Sequence, residues 1–185
     1  MISALFPGFM KRWADDGWYE ALVEVIYWYL NANFSRRGID AGIILTQTAI
    51  ERISYEYSVK EKKLLTLKGF KDLWASDKFR LLFSSLSIPL DIPPETPALQ
   101  NLVSSSQRNW SDAPHALTEI RNSLVHPEHK EHKRHGKIWD PYYYEAWNLG
   151  LWYLEMGILA ICGYSGKYVN RLKTGFVKPE NVPWI

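Results

Sequence analysis

Apolar residues recur along this chain at intervals of three and four, the spacing that lines one face of an α-helix, and this rhythm predicts its elements. Between Trp18 and Phe34 they fall at Trp18, Leu22, Val25, Ile26, Tyr29 and Leu30, with Asp15 or Asp16 placed to cap the first turn. Past Gly38 a second helix is predicted from Asp40 to Tyr57. It turns Ile43, Ile44, Ile50, Ile53 and Tyr57 inward and stacks Gln47 and Glu51 one turn apart on a neighbouring strip. A charged linker, Lys60 to Lys63, precedes a third helix from Phe70 to Leu86. That helix stops at Ile88, because Pro89 steers the residue before it out of helical geometry. Pro89 to Pro97 is then an extended connection, followed by a short helix from Ala98 to Ser105.

Asp112 or Ser111 caps a fourth principal helix, which tolerates Pro114 in its first turn, sets Leu117, Ile120 and Leu124 on one face and ends at His126 before Pro127. Glu128 to Gly136 is a polar loop. The last helix, Tyr142 to Cys162, carries a seam of Tyr144, Trp147, Leu151, Leu154, Ile158 and Ile161, and its other side, with Trp152, Met156 and Leu159, is apolar too. A helix apolar on two sides is either central in its bundle or shared with a partner chain. Gly163 and Gly166 end it. No run alternates apolar and polar long enough for a sheet. The expected fold is therefore an all-α bundle of four to five main helices, a single domain over residues 1–185 with its core at about 16–172 and a C-terminal tail at 173–185.

Composition narrows the classes. With 46% hydrophobic and 23% charged residues in 185, the chain can bury a core and is not a disordered one. The one cysteine, Cys162, excludes an internal disulfide, and no CxxC pair offers a thiolate metal site. The best apolar stretch, Ala146 to Tyr164, has Glu155 in its middle, so no membrane span is expected. Met1 to Phe9 lacks the basic flank and cleavage site of a signal peptide, which makes a cytoplasmic location the expectation. A net charge of +2 does not decide for or against nucleic acid; its distribution does. Residues 121 to 137 hold five Lys or Arg against two acids, and all five histidines fall between His115 and His135.

The hexapeptide Arg121-Asn122-Ser123-Leu124-Val125-His126 sits at the end of the fourth helix. An Arg, a polar residue and then a His in an all-helical chain resembles the signature of HEPN-domain ribonucleases. The flanking "ALTEIRNSLVHP", the upstream "IILTQTAIERISYEY" and the closing "LWYLEMGILAICGYSGKYVNRL" are similar to helices of HEPN domains attached to bacterial defence proteins, of the ApeA-like kind. The resemblance covers roughly Trp18 to Leu172. It implies a HEPN-like bundle, a metal-independent endoribonuclease without cofactor, a homodimer whose two motifs build one composite site, and an upstream sensor domain or an antitoxin as further partner. A catalytically inactive HEPN domain, serving as a dimerisation or nucleotide-binding module, is the alternative.

The residue types suit RNA cleavage. Histidine titrates near neutrality and serves as base or acid, while a guanidinium forks onto phosphate and stays charged. His126 is then the general base or acid, Arg121 the phosphate clamp, and Asn122 a hydrogen-bond partner of the phosphate or of the histidine. Positions five apart on a helix differ by about 140° and about 7.5 Å, so one chain's Arg and His do not naturally converge and a second copy helps. Glu51 is a supporting candidate as a partner for Arg121; otherwise it is a surface carboxylate beside Arg52 or Tyr55. Lys130, Lys133 and Arg134 gather cations where an RNA backbone would pass. His126, His129, His132 and His135 recur every three residues, but Pro127 and the lysines around them make a solvated loop rather than a zinc site. Trp110, Trp139, Tyr142 and Tyr143 flank the motif and offer stacking surfaces for bases.

Overall fold

A computed structural model describes residues 2–34, 38–126 and 140–185. Its centre is the last helix, Pro141–Ile161, which buries Leu149, Leu151, Trp152, Tyr153, Leu154 and Met156 in one run. Among the described residues seven α-helices precede it. In chain order they are α1 (Ile2–Trp13), α2 (Asp16–Asn33), α3 (Ile39–Tyr55), α4 (Leu67–Asp72), α5 (Ala75–Ser85), α6 (Pro97–Ser104) and α7 (Ala113–Val125), with Pro141–Ile161 as α8. The protein is all-α. A two-residue antiparallel ladder, β1 (Lys167–Tyr168) on β2 (Glu180–Asn181), is the one exception to helix among the described residues, pairing Lys167 with Asn181 and Tyr168 with Glu180.

The two-sided apolar character of α8 is explained by burial inside this chain. Tyr153 stacks on Phe83 of α5 at 4.4 Å between centroids and donates its hydroxyl to the Pro89 carbonyl at 2.8 Å. Glu155 is held by the Tyr29 hydroxyl at 2.7 Å and by Arg171 Nε at 2.9 Å, which lets one charge sit in the middle of an apolar helix. Among the described residues no helix is long and apolar enough to cross a membrane. At Gly42 of α3 a Cβ would lie 2.5 Å from the Trp147 side-chain Nε1 of α8 and 3.1 Å from the Ala32 carbonyl oxygen of α2. That indole donates to the same carbonyl at 2.8 Å, so glycine is what lets α2, α3 and α8 meet.

Several expectations change. The third helix divides into α4 and α5, with Leu73 and Trp74 extended between them. Once the chain has divided there, Asp77 in the first turn of α5 suits the positive end of that helix. Leu30 does not face the core: it is exposed together with Tyr19, Val23, Tyr27 and Phe34 along the outer side of α2. Tyr144, expected in the α8 seam, is also exposed. In the opposite direction, α1 and the C-terminal segment pack on the bundle, with Phe9 stacked on Trp13, and with Val182 buried and Trp184 Nε1 donating to the Tyr164 carbonyl.

The end of α3 passes into a π-helical turn, Glu56–Glu61, in which Lys62 N–H reaches back five residues to the Tyr57 carbonyl at 2.8 Å. The turn brings Glu61 to Arg12 at 2.8 Å and to Trp18 Nε1 at 2.8 Å, tying α1 to the bundle. Partial burial pushes the Glu61 carboxyl upward, but hydrogen bonds from Arg12, Lys62 and Trp18 outweigh it and hold the group below its ordinary value of 4.5. The unfolded chain therefore binds this proton more readily. The stabilisation is present above the ordinary carboxylate range and is lost as pH falls through the lowered value. Amide exchange over α1 is expected to accelerate as pH falls from about 5 through the lowered value, after correction for intrinsic rates, and Glu61→Gln to flatten that dependence. An unchanged pH dependence in Glu61→Gln would place the tie elsewhere.

Candidate functional site

α7 starts where Asp112 accepts the His115 backbone N–H at 2.8 Å, and its first turn carries Pro114, whose missing N–H costs nothing there. The cap is Asp112 and not Ser111. The same carboxylate takes a two-point grip from Arg80 of α5, through Nε and, at 3.0 Å, through Nη2. At the other end Val125 closes the helix, and His126 turns to extended geometry at φ −110°, ψ 106° while its N–H still reaches the Asn122 carbonyl at 3.0 Å. Leu117 and Ile120 bury against the core. The inner face is pinned to α3 by Gln47, whose Nε2 donates to the Leu117 carbonyl at 2.6 Å.

Arg121 and Asn122 are half-buried, and His126 is exposed. Arg121 Nη1 donates to Asn122 Oδ1 at 3.3 Å, so the amide oxygen faces the guanidinium and the amide NH2 is turned to other acceptors. Glu51 does not join them. Its carboxylate takes Lys78 Nζ at 2.6 Å, and that ammonium also lies over the Phe70 ring at 4.9 Å, so Glu51 ties α3 to α4 and α5. The residue of α3 that does reach α7 is Gln47, one turn away. Its signal was a polar amide on an otherwise apolar strip, which needs a buried partner. Lys130, Lys133 and Arg134, and with them His129, His132 and His135, lie outside the described residues. Among the described residues no group of three or more His, Cys, Asp or Glu is placed to hold a metal ion.

The aromatic expectations change most. Trp110, Tyr142 and Tyr143 are buried at 8%, 8% and 5% exposure and offer no face to a base, while Trp139 lies outside the described residues. Among the described residues the exposed indole is Trp74, at 81%, in the N-cap position of α5. It borders a cavity of about 320 Å³ whose other wall is α7: His115, Thr118, Glu119 and Asn122, four positions on one helical stripe. His115 Nδ1 accepts the Ser111 backbone N–H at 3.2 Å and sits 3.3 Å from the Ser111 hydroxyl, an arrangement in which the neutral ring carries its proton on Nε2. The sequence did hold one sign of this: His115 precedes Asn122 by seven residues, two helical turns. Trp74 gave none, because nothing in its neighbours marked the break between α4 and α5.

A larger cavity, about 860 Å³, lies between α6, the start of α8 and the C-terminal segment. Of its charged residues, Arg171 pairs with Glu155, Lys173 with Glu180, and Glu145 accepts from the Ala98 and Leu99 N–H groups at the start of α6, at 3.0 and 2.9 Å. None of Arg121, Asn122 and His126 lines it.

Comparison with known proteins adds the following. The family model described as the YopA C-terminal domain matches residues 15–181. The SPbeta prophage-derived protein YopA of Bacillus subtilis (strain 168) is 34% identical over 192 residues, covering 99% of this chain. The chain spans about 40% of the length of that curated relative. No solved structure matches.

Proposed function

The chain belongs to the YopA C-terminal domain family, and from that premise we propose that it is a metal-independent endoribonuclease domain that works as a homodimer. The observation that carries the reading is the end of α7, where a guanidinium held beside an amide lies one to two turns from a solvent-exposed histidine that leaves the helix. In this reading the HEPN-like resemblance of the hexapeptide reflects function. Arg121 forks onto the scissile phosphate, and Asn122 donates from its amide nitrogen to a phosphoryl oxygen or orients the histidine. His126 acts as base on the 2′-hydroxyl or, protonated, as acid on the leaving oxygen, with solvent supplying the other partner. The 2′-oxygen bonds to phosphorus as the bond to O5′ breaks, and O5′ leaves with a proton. The products end in a 2′,3′-cyclic phosphate and a 5′-hydroxyl.

The cations that follow His126 in the sequence, Lys130, Lys133 and Arg134, add positive charge that attracts an RNA backbone. The prophage origin of the relative supports a defence or toxin setting, in the cytoplasm, with a sensor domain or an antitoxin controlling the activity. The test is cleavage of single-stranded RNA in excess EDTA, with product ends mapped. Cleavage to cyclic phosphate ends is expected to persist in chelator and to fall about a hundred- to ten-thousand-fold in His126→Ala. Activity abolished by EDTA, or undiminished in that variant, would sink the mechanism.

A further inference from the structure

We infer that the cavity between the start of α5 and the outer stripe of α7 binds one unpaired base of the RNA, a guanine, stacked on Trp74. The inference rests on the RNA-binding part of the reading above and names a base subsite for it. An indole 81% exposed leaves a large flat apolar surface in water, and it stands at the mouth of a polar cavity rather than in an apolar patch. A protein partner covering Trp74 would have to desolvate His115, Glu119, Asn122 and Arg80 with it. A base needs what is there: a face to stack on and a few polar groups to read its edge.

The charges exclude a phosphate as the occupant. Arg80, the cation of this cavity among the described residues, is already engaged by Asp77 and Asp112, and Glu119 adds a further negative charge. The same groups suit guanine. Its N1–H and N2–H donors lie side by side and match a carboxylate such as Glu119. Its O6 accepts from the Asn122 amide NH2, because Asn122 Oδ1 already faces Arg121. His115 Nε2–H is a second donor for the acceptor edge. Adenine would set its N1 lone pair against the carboxylate, a repulsive contact. The volume, about 320 Å³, is at the small end of ligand pockets, in keeping with a base rather than a whole dinucleotide. Asn122 belongs to both places. A base seated there holds the strand along α7 toward Arg121 and His126, and the rise from His115 to His126, about 16 Å, leaves room for neighbouring nucleotides.

The experiment uses fluorescently labelled uridine pentamers carrying one central guanine, adenine or uridine, 2′-O-methylated so that they cannot be cleaved, titrated with the full chain and followed by anisotropy. The guanine oligomer is expected to bind about tenfold more tightly than the adenine one. Trp74→Ala should weaken it about ten- to a hundred-fold, the size of a lost stacking contact. Glu119→Gln should erase the preference for guanine while sparing most of the affinity. Both exposed-face variants leave the core intact. Trp74→Ala and Glu119→Gln binding every oligomer like the parent would overturn the subsite, as would a Trp74→Ala effect confined to self-association. Guanine binding that depends on Trp74 in a protein that cleaves no RNA would remove the nuclease reading and leave the subsite standing.

Discussion

Arg121→Ala and His126→Ala proteins, each inactive alone, are expected to regain RNA cleavage when mixed. On one helix the two positions point about 140° apart and are separated by about 7.5 Å along the axis. His126 leaves the helix with extended backbone, so its direction is not set by the helical turn that bears Arg121. A site that pairs Arg121 of one copy with the partner's His126 removes the mismatch, and two-fold symmetry then puts two equivalent Arg–His pairs into the one composite site. In a heterodimer of the two variants one of those pairs is complete and the other has neither group. Random exchange makes half of the dimers heterodimers, so the mixture should recover about a quarter of the parental rate. Either variant alone should fall by a hundredfold or more, the usual scale for losing a positioned acid-base group or a charge clamp, about 10²–10⁴. No recovery after exchange, verified by tagged copies co-purifying, would mean that Arg and His act from the same chain. That result would refute the composite site while leaving the cleavage chemistry to be judged by its own test.

The second large effect is on stability, and it falls on Asp112. This carboxylate caps α7 through the His115 N–H and holds Arg80 through two nitrogens, with the Asp112 side chain 14% and that of Arg80 28% exposed. Losing an N-cap costs about 0.5–2 kcal/mol. Leaving a half-buried guanidinium without its bidentate partner adds a cost above the surface-pair range of about 0–1 kcal/mol, though Asp77 still holds one nitrogen. Asp112→Ala is therefore expected to destabilise by about 2–3 kcal/mol, which at this length lowers Tm by about 4–12 °C. Asp112→Asn, which keeps a capping oxygen and loses the charge, should lose about half of that. Thermal unfolding with Arg80→Ala as the second arm of a double-mutant cycle separates the cap from the ion pair. A loss equal in Asp112→Ala and Asp112→Asn would show the cap to be unimportant. Because Asp112 starts the helix that ends at His126, the same substitution should loosen the cavity wall at His115 before it touches the motif.

The fold class and the frame of α7 were legible because they depend on local rules. Three-and-four apolar spacing, an Asp with Pro two residues on, and a His before a Pro mark a helix's face, start and stop without reference to the rest of the chain. His126 leaves α7 where the sequence says it must. The split of the third helix was not legible, since neither Gly nor Pro marks it and Leu73 and Trp74 have no local reason to be extended. The partner of Glu51 was not legible either. Helical periodicity puts it near α7, but the crossing of α3 over α5 brings Lys78 to it first.

What the sequence by itself determined, then, is an all-α chain with Arg121, Asn122 and His126 at the close of one helix and a last helix too apolar to be on the surface. Those facts are set by chemistry within a few residues of each position. Only tertiary packing decided that α8 fills its own bundle, that Gln47 rather than Glu51 reaches α7, that Trp110, Tyr142 and Tyr143 are buried, and that Trp74 stands open beside His115 and Asn122. Each depends on which helices cross and at what angle. Side-chain volumes and close backbone contacts such as Gly42 set that angle across the whole core, and no local pattern encodes it.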